Sequence, residues 1–205
     1  EGVAVTVDVE GNYLYVAYGA NGLVVLNISD PANLTVAGTY PADENLFYED
    51  VVVVGTLAYA TDLAGLVILD VSNPASPTKR GYVDMKGLGK GTSGVVVSGS
   101  YAYVGVQLLS LEGTGNTLRV VNVSNPASPS QVASVGLAGS AGRVTMAGNY
   151  VYVSLGATGV QSVNVSTPTS PVASGTADIY DTPGTPLILA ADGSQLHVAD
   201  ECGGY

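Results

Sequence analysis

The segment Gly22-Leu-Val-Val-Leu-Asn27-Ile-Ser-Asp-Pro31 recurs in one register as Gly65-Leu-Val-Ile-Leu-Asp70-Val-Ser-Asn-Pro74, Thr117-Leu-Arg-Val-Val-Asn122-Val-Ser-Asn-Pro126 and Gly159-Val-Gln-Ser-Val-Asn164-Val-Ser-Thr-Pro168. A repeat constrains the fold more than composition does, because each copy is one supersecondary unit whose apolar surface must be buried against its neighbours. A second landmark, a glycine turn followed by an alternating strand, precedes each copy. It reads Gly11-Asn-Tyr-Leu-Tyr15, Gly55-Thr-Leu-Ala-Tyr59, Gly99-Ser-Tyr-Ala-Tyr103 and Gly148-Asn-Tyr-Val-Tyr152. Gly193-Ser-Gln-Leu-His197 starts a fifth copy near the end of the chain.

Each unit, about 42–50 residues long, reads as four strands. The first is Val-rich (Val5 to Val9, Val51 to Val54, Val95 to Val97, Val144 to Met146, Leu187 to Leu189), and the Gly-Asn or Gly-Ser that follows supplies the positive φ of a tight hairpin. The second carries the paired tyrosines. The third is the Leu-Val-Val-Leu-Asn run, closed by Ser-Asn-Pro because proline cannot donate to a ladder and Ser or Asn can bond the turn backbone. The fourth follows, as at Thr35 to Tyr40 or Lys79 to Val83. Because Leu23 and Val25 alternate with Val24, Leu26 and Ile28, the third strand is apolar on both faces and both must be covered. The expectation is an all-β β-propeller built from four-stranded antiparallel blades. Four complete repeats fall at about 1–48, 49–93, 94–142 and 143–185, and a partial fifth at 186–205, within a single domain.

Leu66-Val-Ile-Leu-Asp70 followed by Val71-Ser-Asn-Pro74 resembles the LVIVD repeat, a β-propeller repeat of bacterial and archaeal surface proteins that is similar to the YVTN type. The resemblance runs over nearly the whole chain and implies the propeller fold; it brings no catalytic residues with it. The chain departs from the pattern by having Asn27, Asn122 and Asn164 where the repeat has Asp.

Composition narrows the functions. Seventeen acidic residues against six basic ones give a net charge of −11, which repels phosphate backbones, so nucleic acid is not expected as a partner. No apolar run reaches the roughly 18 residues of a membrane-spanning helix. The single cysteine, Cys202, excludes an intrachain disulfide framework and a cysteine zinc site. No cofactor or metal is expected. His197, the only histidine, occupies the place of Tyr15, Tyr59, Tyr103 and Tyr152 and is expected to pack between blades as part of an amphipathic strand. The glycine-rich Gly87 to Gly94 stretch lacks phosphate-loop spacing. The acidic cluster Asp43, Glu44, Glu49 and Asp50 lacks calcium-loop spacing and reads as a solvated connection.

Asn-x-Ser/Thr sequons occur at Asn27, Asn33, Asn122 and Asn164, three of them at one repeat position. They are candidate glycosylation sites and point to an exported surface. Strand order puts them on the same rim as the Gly-Asn turns. The opposite rim carries the irregular loops, where a rigid scaffold usually binds; its candidates are Asp43, Glu44, Tyr48, Glu49, Asp50, Glu112 and Tyr180. The functional expectation is a non-enzymatic extracellular or cell-surface structural or adhesion module that carries covalent glycans and self-associates into filaments or a layer. The alternatives are a propeller that binds a polysaccharide or protein through its loop rim and a carbohydrate-active enzyme. The fifth unit stops after two strands. Either residues beyond Tyr205 complete it, or a neighbouring subunit supplies the missing strands, with Cys202 placed for an interchain disulfide.

Overall fold

A computed structural model describes residues 2–43, 47–85, 91–107 and 115–201. The first blade comprises β1 (Thr6–Glu10), β2 (Tyr13–Ala17), β3 (Leu23–Asn27) and β4 (Thr35–Tyr40). The second comprises β5 (Asp50–Val54), β6 (Leu57–Thr61), β7 (Gly65–Asp70) and β8 (Thr78–Asp84). The third comprises β9 (Thr92–Ser98), β10 (Tyr101–Val106), β11 (Thr117–Asn122) and β12 (Ser130–Gly136). The fourth comprises β13 (Val144–Ala147), β14 (Tyr150–Ser154), β15 (Val160–Asn164) and β16 (Val172–Ala173), and β17 (Thr185–Asp192) with β18 (Gln195–Glu201) forms a two-stranded sheet. Each sheet is an antiparallel meander in chain order, as an all-β propeller requires. Two single-turn 3₁₀ helices, Gly156–Thr158 and Thr176–Asp178, are the only helices among the described residues.

The expected hairpins form where glycine allows them. Gly11, Gly55, Gly99, Gly148 and Gly193 all have φ between 55° and 61°, a left-handed conformation that a side chain resists and a two-residue hairpin needs. The fourth strands of the first three blades each carry a one-residue bulge: Ala37, Arg80 and Val132 sit between the paired positions. Such bulges raise the twist of outer strands.

The blades stack by a single rule. One face of each blade, presented by its second and third strands, lies against the opposite face of the next. Tyr15, Ala17, Leu23 and Val25 of the first blade meet Val51, Val53, Ala58, Ala60, Val67 and Leu69 of the second. Tyr59, Leu66 and Ile68 of the second meet Val95, Ala102, Val104 and Val121 of the third. Tyr103, Leu118 and Val120 of the third meet Val144, Val151, Val153 and Val163 of the fourth. Leu66, Ile68 and Leu69 are wholly buried from opposite sides of one strand, which is why β7 is apolar without a break from Leu66 to Leu69. The first strands lie side by side in the order β1, β5, β9, β13, β17 and line a cleft that also admits Arg143 and Thr145.

At the beginning of the series the rule leaves a face bare. Val7, Val9 and Val36 of the first blade are 56 %, 52 % and 64 % exposed, although Val51 and Val53, the second-blade counterparts of Val7 and Val9, are core. His197 keeps the tyrosine register, opposite Ala190 as Tyr59 is opposite Val52, yet it is exposed. Nothing among the described residues stacks over that side of β18, so the expected inter-blade packing does not occur there.

The asymmetry is measurable by denaturant unfolding. Ile68→Ala, between two blades, should cost about 2–5 kcal/mol, whereas Val36→Ala on the bare face should stay within about 0.5 kcal/mol. Equal losses would contradict the stacking.

Candidate functional site

The loop-rim candidates do not form one surface. Tyr48 is 2 % exposed and Asp50 is buried, so both leave the accessible set. The cause is stacking: the blade-to-blade connection folds inward, with the Tyr48 amide donating to the Gly19 carbonyl at 3.0 Å, and Tyr48 enters the core between the first two blades. Asp43 stays exposed and pairs with Lys79 at 3.1 Å. Tyr180 is 68 % exposed. Glu44, Glu112 and Cys202 lie outside the described residues.

What the fold does assemble is a polar mouth at one end of the first-strand axis. Asp50 opens β5, and its Oδ2 accepts from the Val95 amide of the next blade at 2.9 Å. Asp8 does the same one blade earlier, accepting from the Val53 amide at 2.6 Å. Arg143, just before β13, reaches back past the third blade: its Nη1 donates to the Glu49 carbonyl at 2.9 Å and lies 3.4 Å from Asp50 Oδ1. Gly94 of β9 allows this approach, since a Cβ there would stand 2.7 Å from the Val144 nitrogen. Ser93 Oγ lies 2.8 Å from the Gly142 carbonyl, and the Gln107 amide donates to the Ala141 carbonyl. Glu49, Ser93, Gln107 and Arg143, with Ser154 and Thr185, line a cleft of about 290 Å³. Sequence reasoning missed Arg143, Ser93 and Gln107. None lies in the recurring motifs, and only the blade count and curvature bring residue 143 to residue 50.

The electrostatics follow from burial. Asp50 titrates above the usual carboxylate range chiefly because it is desolvated, against the opposing pull of the Arg143 guanidinium and the Val95 amide. Glu49 is raised for the same leading reason. The mouth therefore holds one guanidinium beside two reluctant carboxylates, ringed by hydroxyl and amide groups, an arrangement suited to hydrogen-bonding a neutral polar ligand. Among the described residues no group of three or more His, Cys, Asp or Glu side chains could hold a metal ion.

A second polar cluster lies between the first two blades. Asp62 Oδ1 accepts from the amides of Ala64 and Gly65 at 2.6 and 2.7 Å, shaping the turn into β7, while its Oδ2 is buried without a partner. Burial raises its pKa. The hydroxyls of Tyr48 and Tyr82 are pushed well above the ordinary tyrosine value, first by burial and then by neighbouring groups that include Asp62 and Asp43. Lys79 caps the cluster, its ammonium 4.9 Å from the Tyr82 ring centre.

The sequon positions share one local job. Asn27, Asn122 and Asn164 each accept through Oδ1 from the amide two residues on, Ser29, Ser124 and Ser166, at 2.9 Å. Asp70 accepts from the Ser72 amide at 3.0 Å and from its hydroxyl at 2.6 Å, bonds that hold its carboxyl below the usual range. A carboxylate and an amide oxygen are interchangeable in this Asx turn. Asn33 is exposed in the turn that follows Asp30.

A family model described as the LVIVD repeat matches residues 1–42, 48–85, 89–136 and 138–182. Among solved structures, the chain is similar to a hypothetical selenium-binding protein from Sulfolobus tokodaii (11 % identity, TM-score 0.72, 97 % of this chain and 57 % of that one). It is also similar to a functionally unknown protein from Desulfotomaculum acetoxidans (18 %, 0.64, 97 % and 62 %) and a protein from Lactobacillus plantarum (14 %, 0.67, 84 % and 55 %). The chain thus spans little more than half the length of these neighbours, and at such identities the likeness is one of fold alone. No curated protein matches it.

Arg143→Ala tests the axial tie. A carboxyl whose folded pKa lies above its unfolded value loses stability for the fold as pH rises through that raised value. Removing the guanidinium raises Asp50 further, so the variant should be destabilised by about 1–3 kcal/mol at pH 7 and recover towards wild type as Asp50 protonates below neutrality. Adding Asp50→Asn should abolish that pH dependence. A loss independent of pH, read by thermal unfolding, would contradict the account.

Proposed function

The chain belongs to the LVIVD repeat family, and on that footing we propose that it is a non-enzymatic, extracellular or cell-surface structural and adhesion module, N-glycosylated along one rim and able to self-associate. The observation that carries the reading is the common geometry of Asn27, Asn122 and Asn164. In all three the amide oxygen is tied into the turn backbone, which leaves the amide nitrogen, the atom a glycan would occupy, free of any structural duty in that turn. The three sites fall on equivalent turns of three blades, so glycans there would cover one rim and leave the other, with the axial mouth, open. The exposed valines of the first blade supply an apolar surface for self-association, since contiguous apolar patches of this kind mark interaction sites.

A second reading, recognition of a polysaccharide or protein by the loop rim, is favoured by the axial cleft. Neutral hydroxyl-rich ligands suit the Ser93, Gln107 and Arg143 lining.

Two measurements test the glycoprotein reading. Intact mass of material from a glycosylating source should fall on chemical deglycosylation, and an unmodified mass would overturn it. Asp70→Asn should add one further glycan, because it completes Asn-Val-Ser at Val71 and Ser72 while keeping the turn acceptor; an unchanged mass in a host that modifies Asn122 would contradict the equivalence of the four turns.

A further inference from the structure

The residues that shape the repeat's Asx turn differ in what stands opposite them. In the antiparallel pairing of second and third strands, Asn27 faces Tyr13, Asn122 faces Tyr101 and Asn164 faces Tyr150. In the second blade the same place pairs Asp70 with Leu57. Directly opposed residues of an antiparallel pair point to one face of the sheet, with Cβ atoms about 4.5–5.5 Å apart. Each of these three sequon asparagines therefore has a phenol ring for a neighbour, and the aspartate has none.

The bulge position of the fourth strand varies in step. It holds Arg80 in the second blade, whose Nε lies 3.8 Å from Asp70 Oδ2, and Ala37 and Val132 in the first and third. Asp70 thus has the neighbours of a carboxylate, a guanidinium and the Ser72 hydroxyl. Asn27 and Asn122 have an aromatic ring and no cation at that position. Packing does not separate the two cases, since Tyr13 and Tyr101 border the inter-blade cores and Leu57 does the same. What tyrosine adds over leucine is a flat π face, negative at its centre, that attracts polarised C–H bonds.

The asparagines are also aimed. With Oδ1 held by the amide two residues on, the plane of the side-chain amide is set and Nδ2 has one direction. A group attached there starts from a fixed position beside the ring. Asn27, Asn122, Asn164, Tyr13 and Tyr101 are half-buried and Tyr150 is 43 % exposed, so the pairs lie at the edge of the blades, reachable from solvent. A pyranose, with one face of C–H bonds and a periphery of hydroxyls, matches the ring in size and polarity.

We propose that Tyr13, Tyr101 and Tyr150 are stacking platforms for the first sugar of a glycan on Asn27, Asn122 and Asn164, holding it against the blade as a structural part of the rim. This rests on the glycoprotein reading and adds to it what fixes the sugar in place.

The test uses the full chain with Asn27→Asp, Asn33→Asp and Asn164→Asp, which leaves Asn122 as the one Asn-x-Ser/Thr site and serves the Asx turns equally well. It is prepared in a host that attaches a pyranose to such sites and in one that does not. Intact mass reports the modification: a chain left bare by a host that modifies a control sequon peptide overturns the glycoprotein reading and the stacking with it. With the sugar attached, the unfolding temperature should rise by about 2–4 °C, and the ring current of Tyr101 should move the sugar's ring protons upfield in the NMR spectrum. Tyr101→Leu, which installs the second blade's own residue, should abolish both effects. In the same background with Asn122→Asp, Asp70→Asn should acquire a sugar that shows neither effect, and adding Leu57→Tyr should confer both. An attached sugar whose stabilisation and proton shifts survive Tyr101→Leu, or one that shows both effects in the Asp70→Asn chain with Leu57 in place, would overturn the stacking and leave the glycoprotein reading standing.

Discussion

Everything in this molecule depends on the burial of third strands from both sides. A strand such as β7 has no polar face, so its sheet is stable only when sandwiched, and each blade serves as half of its neighbour's core. Burying a Leu, Val or Ile contributes roughly 1.5–3 kcal/mol, and each interface gathers seven or eight such buried side chains. The same dependence shows on the first blade, where Val7 and Val9 hold the positions of the buried Val51 and Val53 and are themselves exposed.

Polar groups in the interior are held by backbone rather than by each other. Asp8 and Asp50 bridge first strands through amides of the next blade, Asp62 folds the turn into β7, and Arg143 is seated by a carbonyl before it is paired with a carboxylate. Burial dominates the titration of the three desolvated carboxylates, Glu49, Asp50 and Asp62, and raises all three. The axial mouth is thus a byproduct of closing blades around an axis, and its hydroxyl and amide lining is what a ligand would meet.

The recurring Asx turn explains why Asp and Asn exchange within the repeat. Only one side-chain oxygen is used, so Asn27 and Asp70 are equivalent to the fold and different to chemistry outside it. A sequon in this position costs the turn nothing, which lets duplicated units acquire acceptors one at a time.

By itself the sequence determined the unit. The hairpin glycines, the alternation of the second strand, the two-sided third strand and the proline stop are local rules of backbone geometry and side-chain spacing, and they placed four strands per copy, the meander order and the shared rim of Asn27, Asn122 and Asn164. Tertiary structure alone decided what lies inside. Tyr48 and Asp50 read as loop residues because a polar connection next to a strand has the same local pattern whether it turns outward or folds into an interface. Arg143 could not be paired with Asp50 from spacing, since that contact depends on how far each blade rotates about the axis, a quantity summed over many packed side chains and written in no single motif. His197 carried the right register and the wrong expectation for the same reason: register is local, and cover is supplied by a neighbour.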